Sequence, residues 1–230
     1  MASLWLNSDG KLVVDATSGK AILCSTCPCC IPNDDFSGTG NNSGSVGDAN
    51  WNARWTTVTN DGTASISGGA LNLSVPAAAG TTAENYANCW DTDSSSDFTA
   101  QVDVTWTGLN VTLANNQYAQ VSFVLYSSAG VYGVVVGKWP PNLSYPASGG
   151  GTGYDFQGPS ISQTGGTLSP GTHTLKYVRS SGVLTGYVGA NNYSFGSFGT
   201  TITGISLVLW SYGSGTTPAA SAVFDNFQVT

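Results

Sequence analysis

Thiols are the most concentrated reactive groups in the chain. Four of its five cysteines lie close together, as Cys24, Cys27, Cys29 and Cys30 in the spacing C-x2-C-x-C-C, and the fifth is Cys89. Thiolates at this density could bind zinc, although a tetrahedral site normally takes its ligands from two separated loops. Disulfide bonds are the alternative, and an odd number of cysteines then leaves one thiol free or paired with another chain. The sequence leaves disulfides, a zinc site and reduced thiols all open.

Catalytic carboxylates and bases are scarce. Hydrolysis of a glycosidic bond normally needs two carboxylates beside that bond, and the chain has a single glutamate, Glu84, in a sequence typical of a loop. The alternative pair is Asp97 and Asp103, on one predicted strand. A serine or cysteine nucleophile would need a base, and His173 is the sole histidine. Catalysis is therefore the least favoured activity.

Alternating apolar and polar residues predict the elements that would position these groups. We expect β-strands at about 64–75, 97–107, 117–127, 131–139, 172–179, 183–189, 201–212 and 221–229. Gly, Pro, Asn and Ser separate these segments, and helical periodicity is nowhere sustained. The long segments 36–60 and 140–168 are predicted loops. The pattern predicts an all-β antiparallel sandwich.

Two of these strands, which we expect to be neighbours, combine aromatic rings with amides on their polar sides. The side chains concerned are Gln101, Asp103, Tyr118, Gln120 and Tyr126. Alternation places them opposite the apolar residues of the same strands. A face that only meets water more often carries Lys and Glu, whereas rings with amide and hydroxyl partners suit a sugar. These five residues form the predicted carbohydrate-binding site.

Four short segments in the last two hundred residues resemble sequence segments of a known superfamily. They are Asp34-Asp35-Phe36-Ser37, Trp51-Asn52-Ala53-Arg54-Trp55, Ser67-Gly68-Gly69-Ala70-Leu71-Asn72-Leu73 and Phe224-Asp225-Asn226-Phe227-Gln228-Val229. They resemble the concanavalin A-like lectin/glucanase sandwich, a superfamily of lectins, glucanases, laminin G-like binding domains and phage or bacterial surface modules. The resemblance covers about 34–230 and implies a jelly-roll of antiparallel strands.

The resemblance also implies a metal site. In this fold the first and last strands lie side by side, which would bring Asp35 near Asp225, and carboxylate oxygens suit Ca²⁺. A structural calcium ion is therefore one expectation. The alternative is that Asp35 caps a turn and Asp225 hydrogen-bonds to the backbone.

Residues 1–31 differ from the rest of the chain. Three short apolar segments, at 4–6, 12–14 and 21–23, precede the cysteine cluster. The sequence of residues 1–31 resembles the short leaders of uncharacterised phage and prophage proteins. A unit below about 40 residues generally needs disulfides, a metal or a partner to stay folded. We therefore predict a small Cys-containing module at 1–31 that anchors or assembles the sandwich domain at 32–230.

Charge and composition narrow the range of partners. The net charge is −7 and the six Lys and Arg are scattered, so we expect neither nucleic acid nor an anionic membrane, which both bind clustered cations. No apolar run approaches the roughly 20 residues of a membrane span. Only 8% of the residues are charged, which is typical of an extracellular protein, yet the N-terminus has no recognisable signal peptide. A virion or another extracellular surface fits both observations.

These expectations favour a non-catalytic structural component of a surface. One example is a phage decoration, fibre or tail-associated protein that assembles through 1–31 with copies of itself or with a larger particle. A lectin-like module that binds a glycan is the alternative, and an enzyme acting on glycosides is the third.

Removing residues 1–31 tests the predicted division of the chain. We expect the fragment 32–230 to be a soluble monomer because the sandwich supplies its own core, whereas the full chain should form oligomers. Light scattering from both proteins, with and without a reductant and a chelator, measures the difference. A full-length chain that stays monomeric at high concentration under all these conditions would contradict the anchor role.

Overall fold

The structure is a computed structural model. It describes residues 36, 40–41, 45–46, 56–77, 81–87, 97–106, 117–140, 151–159, 165–200, 202–212 and 219–230. The predicted module at 1–31, its cysteine cluster and Asp35 lie outside the described residues. Within those ranges, no helix is long and apolar enough to cross a membrane.

Two antiparallel sheets make up the described part of the chain. The first has nine strands, in the spatial order β14 (Asn191–Ser197), β13 (Val183–Val188), β12 (Gly171–Ser180), β7 (Phe98–Trp106), β16 (Ala220–Val229), β5 (Ala70–Val75), β4 (Thr63–Ser67), β1 (Gly40–Asn41) and β2 (Ser45–Val46). The second has seven, in the order β11 (Gly166–Thr167), β10 (Thr152–Gln157), β9 (Gly130–Lys138), β8 (Tyr118–Ser127), β15 (Ile202–Tyr212), β6 (Thr81–Ala87) and β3 (Thr56–Asn60). The predicted all-β antiparallel sandwich is confirmed.

The core lies between the two sheets and is built by alternation. In β7 every second residue from Phe98 to Trp106 is buried, and in β8 the alternate residues from Ala119 to Leu125 are buried. Removing each Val, Leu or Phe side chain from water contributes about 1.5–3 kcal/mol. The predicted inward sides of both strands are confirmed.

The structure corrects the two predicted loops and the position of the glutamate. Segment 36–60 contains β3, and segment 140–168 contains β10 with its buried Phe156. Glu84 lies in β6, where it is opposite Val208 of β15, and not in a loop. These strands are rich in Thr, Gly and Asn, so their sequences lack the apolar alternation that indicates a strand.

The predicted strand at 64–75 is a hairpin. Strands β4 and β5 are joined by Gly68 and Gly69, and both glycines have positive φ, at 64° and 77°. Two consecutive residues with positive φ are the requirement of a type I′ turn, whose twist matches that of the flanking strands. Glycine meets this requirement without strain because it has no Cβ.

A buried hydroxyl joins the two sheets through the core. Tyr177 of β12 is fully buried, and its Oη lies 2.9 Å from the carbonyl oxygen of Phe123 in β8 and 2.9 Å from that of Tyr132 in β9. Its single proton is shared between these two acceptors. The rings of Tyr177 and Phe123 also pack edge to face, with centroids 5.2 Å apart. Tyr177 therefore fixes where β8 and β9 lie over the nine-stranded sheet.

Alkaline pH should destabilise the fold through this tyrosine. Burial raises the pKa of Tyr177 well above its ordinary value, against an opposing backbone hydrogen bond from Val134. In the unfolded chain a tyrosine ionises near pH 10, so above that pH the unfolded state has lost a proton that the folded state keeps. The free energy of unfolding is therefore complete below about pH 10 and falls as the pH rises further. Urea unfolding at a series of alkaline pH values measures this decline.

The variant Tyr177→Phe is the matched control. At neutral pH it should lower the free energy of unfolding by about 1–3 kcal/mol, because two buried carbonyl groups lose a donor. Above about pH 10 its stability should fall less steeply than that of the parent protein. Parallel declines in the two proteins would show that Tyr177 is not the group responsible.

Candidate functional site

The five residues of the predicted carbohydrate site do not form one site. Gln101 and Asp103 belong to β7 of the nine-stranded sheet, whereas Tyr118, Gln120 and Tyr126 belong to β8 of the seven-stranded sheet. All five alternate with buried residues and lie on outer faces, so the apolar core separates the two groups. The prediction of a shared face is wrong because strands that follow each other in the chain need not pair in a sheet.

On the nine-stranded sheet the polar groups hydrogen-bond to one another. Asp103 accepts hydrogen bonds from the hydroxyl of Thr174 at 2.6 Å and from the side-chain amide of Asn226 at 3.0 Å. Asp225 pairs with Asp103 across the strands and accepts the backbone N–H of Asn226 at 2.7 Å. The amide of Gln101 donates to that of Gln228 at 3.5 Å. These contacts suit a network that holds β16 to β7 and β12.

Of the two residues predicted to bind calcium, the structure describes one. Asp225 is described, but Asp35 is not, so their predicted proximity stays a prediction. The hydrogen bond from Asn226 to Asp225 is the backbone contact expected as the alternative to a metal. Across the described ranges, no three His, Cys, Asp or Glu residues are grouped as metal ligands.

The outer face of the seven-stranded sheet carries the other three predicted residues, and we call it the seven-strand face. It consists of Tyr118, Gln120, Ser122, Val124 and Tyr126 of β8 and of the residues opposite them in β9, β10 and β15. Ser122, Ser206 and Val135 are all buried in its middle although their strand positions face outward, so the middle of the face is covered.

An aromatic pair lies at one end of this face. Trp210 of β15 is 37% exposed, and its ring meets that of Tyr118 edge to face, with centroids 5.9 Å apart. Gln120 lies directly opposite Trp210 in the strand register and is only 7% exposed. The pair thus places a partly exposed ring beside a largely buried glutamine.

A shallow cleft occupies the other end of the face. Its volume is about 460 Å³, and its lining consists of Val124, Gly130, Val131, Gly133, Gln157, Gly158 and Pro159. Val131 is 51% exposed at its rim. The amide of Gln157 donates to the carboxylate of Asp155 at 3.3 Å. The cleft therefore offers an apolar floor with an amide and a carboxylate beside it.

Comparison with known proteins identifies the architecture. No protein-family model matches the chain, and no curated protein matches it. Among solved structures, the chain is similar to the CBM2 module of the evolved Dit of Lactobacillus casei BL23 phage J-1, with 11% identity over 87% of this chain and 96% of that one, at a TM-score of 0.53. It has the concanavalin A-like lectin/glucanase fold.

Two further structures agree with this concanavalin A-like fold. The metal-free form of lectin I-B4 from Griffonia simplicifolia is 13% identical over 84% of this chain and 99% of that one, with a TM-score of 0.50. The exoplasmic/lumenal domain of VIP36, in a Ca²⁺/Man2-bound form, is 10% identical over 84% of this chain and 89% of that one, with a TM-score of 0.50. At such identities the likeness concerns the fold alone.

Two acidic pairs of the described sandwich, Asp155 with Glu84 and Asp97 with Asp103, are too far apart for hydrolysis of a glycosidic bond. Asp155 and Glu84 lie in one register row but four strand spacings apart, about 19 Å. Asp97 and Asp103 are six residues apart along the chain, about 20 Å when extended. Glycosidases hold their two carboxyl groups roughly 5 to 9.5 Å apart. Asp97 instead accepts the backbone N–H of Ser181 at 2.8 Å.

Trp210 is the residue that sequence reasoning missed. The available signal was its position, because Leu207 and Leu209 alternate inward in β15 and the next residue must then point outward. A tryptophan at such a position is unusual for a face that only meets water, since large apolar side chains are normally buried.

A β-bulge in the last strand explains the phrase Phe224-Asp225-Asn226-Phe227. Between Asp225 and Gln228, strand β16 has one more residue than β7 opposite it. Asn226 takes a left-handed conformation, with φ of 53°. Because this extra residue shifts the alternation by one, both Phe224 and Phe227 are buried in the core.

Substitution of Asn226 tests the bulge. Asn226→Gly should keep the left-handed backbone, whereas Asn226→Val should destabilise the protein by about 1–2 kcal/mol more, since a β-branched residue strains that conformation. Both variants lose the hydrogen bond to Asp103, so their difference isolates the backbone effect. Thermal or urea unfolding measures it, and equal stabilities would argue against the bulge.

Proposed function

We propose that this protein is a glycan-binding module and that its site is the seven-strand face, around Trp210, Tyr118 and Gln120. The observation that carries the proposal is the exposed indole of Trp210 beside the buried amide of Gln120. Ligand sites are mostly apolar, with a few placed polar groups, and the surroundings of Trp210 combine two aromatic rings with an amide. A sugar matches it because its C–H faces pack on rings while its hydroxyls pair with amides.

The side chain of Gln120 suits a hydroxyl-bearing ligand. A sugar hydroxyl can both donate to the carbonyl oxygen and accept from the NH₂ group of an amide. Trp210 would contribute to binding by losing its contact with water.

The fold supports the same proposal. A lectin and a CBM2 module share it with this chain. Glycan recognition on this fold requires no catalytic pair. The predicted lectin-like alternative is therefore the function that we place first.

A location on a virion or another extracellular surface is a second proposal. Its specific support is the similarity to a module of a phage Dit. The two proposals are compatible, since a glycan-binding module on such a surface could attach it to another. Assembly with other copies or with a larger particle through 1–31 remains the prediction that truncation tests.

Substitution of Trp210 tests the glycan site. In the full-length protein, Trp210→Ala should weaken binding to a responding glycan at least about tenfold, a loss of about 1.4 kcal/mol. The melting temperature should hardly change because the ring is partly exposed. A glycan array with neutral and acidic oligosaccharides finds the responding ligand, and isothermal titration then measures the affinities.

The matched control is Gln101→Ala on the nine-stranded sheet. This variant also removes an amide from an outer face, and it should leave the affinity unchanged. Unaltered binding in Trp210→Ala together with loss in Gln101→Ala would move the site to the opposite face. If no glycan binds, the proposed function is wrong.

A further inference from the structure

Strand β14 forms a free edge of the nine-stranded sheet. It pairs with β13 on one side, and among the described residues no strand pairs with its other side. A free edge exposes backbone N–H and C=O groups to pairing with another chain, and many proteins prevent this with charged residues or proline on the edge strand. The sequence of β14, Asn-Asn-Tyr-Ser-Phe-Gly-Ser, contains neither. This edge is therefore open to pairing.

The hairpin between β13 and β14 determines which backbone groups face outward. Val188 and Asn191 flank a two-residue turn. Residues in these positions exchange hydrogen bonds, and the residues after them point alternately away from and toward the neighbouring strand. Asn192 and Ser194 thus direct their N–H and C=O groups away from β13. Beyond Ser194 the strand has a bulge, and Gly196 donates its N–H to the hydroxyl of Ser194 at 3.3 Å.

A second copy of β14 satisfies these outward groups in one antiparallel register. When Asn192 of each copy lies opposite Ser194 of the other, the two pairs exchange four hydrogen bonds. Tyr193 then lies opposite Tyr193 of the second copy. A register centred on Ser194 would place Asn192 opposite Gly196, whose N–H already has an acceptor. Hydrogen bonding therefore favours the register centred on Tyr193.

The inward side of β14 supports the same register. Tyr193 and Phe195 pack against the core but are only partly buried, and Tyr193 stacks on Phe156 with ring centroids 5.9 Å apart. In the paired arrangement the two Tyr193 rings meet across the junction, and aromatic pairs of this kind stabilise a sheet. Segment 180–224 contains no Asp, Glu, Lys or Arg, so no like charges from this segment oppose the approach.

We infer that two copies of the protein associate through β14, so that their nine-stranded sheets form one continuous antiparallel sheet. Residues that lie opposite each other in such a sheet point to the same face, so both seven-stranded sheets lie on one side of it. The Trp210 sites of the two copies then face the same direction. If the proposed function holds, a surface with repeated glycans gains avidity from this arrangement, but the association itself does not depend on that function.

The contact is small, and its size sets the conditions under which it forms. Four backbone hydrogen bonds and one pair of rings belong with the interfaces below about 1,200 Å², which are weak and transient. The fragment 32–230 therefore stays a monomer in dilute solution, and pairs form as the concentration rises. Any assembly through 1–31 uses other residues and is independent of β14.

Sedimentation velocity of the full-length protein over a concentration series, with a reductant and a chelator present, tests the inference. Pairing through β14 should double the mass of the species found in dilute solution. Ser194→Pro should weaken the association at least about tenfold, because it removes an outward N–H that β13 does not use. Proline is tolerated at such an edge position, and thermal melting checks that the variant is folded.

Lysine substitutions provide a second test with a matched control. Ser194→Lys should also weaken the association, because the two added cations would lie about 8 Å apart. Thr185→Lys adds the same charge on β13, directly opposite Ser194 in the register. Its two cations would be about 14 Å apart, beyond the screening length at physiological salt, so the association should be unchanged.

Mixing two variants tests the register. The pairing centred on Tyr193 places the cation of Ser194→Lys opposite the carboxylate of Asn192→Asp in the other copy. The mixture should therefore associate several-fold more tightly than Ser194→Lys alone, and the gain should disappear at high salt.

The possible failures are distinguishable. A mass that does not rise at any concentration, or association that neither Ser194→Pro nor Ser194→Lys weakens, would overturn the β14 interface. Loss of association in these variants without any gain on mixing would overturn the register. Neither result bears on the glycan site, which the titration of Trp210→Ala tests separately.

Discussion

The hydroxyl of Tyr177 crosses an otherwise apolar core, and the geometry of the candidate site depends on it. Its two acceptors, the carbonyl groups of Phe123 and Tyr132, belong to the central strands β8 and β9. The residues next to Phe123 are Ser122 and Val124, which lie on the seven-strand face. A contact inside the core thus fixes the strand segments that form the middle of this face on the outside. The same stretch of β8 therefore carries a core side chain on one side and residues of the candidate face on the other.

Much of the fold could be predicted from alternation, because burial imposes a period of two on every strand with one face in the core. The inner sides of β7 and β8 follow directly from this rule. Strands β3, β6 and β10 could not be predicted in this way, because their Thr, Gly and Asn residues give little difference in hydrophobicity between the two sides of the strand.

The candidate site was harder to predict than the fold. Tyr118 and Gln120 have the right residue types and lie on the proposed face, but Gln101 and Asp103 lie on the opposite one. Which strands share a sheet depends on contacts between segments distant in sequence, and periodicity within a strand carries no information about them. Trp210 joins the first two residues only because β15 pairs with β8.

The bulge at Asn226 changes how the end of this chain should be compared with other sequences. A strand that buries Phe224 and Phe227 with two polar residues between them breaks strict alternation, and a pattern search for period two would discard it. Deleting the extra residue would restore the simple period and still leave Phe224 and Phe227 at alternate, inward positions, with Gln228 outside. A single-residue insertion or deletion elsewhere in this strand would instead shift the alternation of every residue between it and the bulge, and it would affect packing more than most substitutions at the same positions.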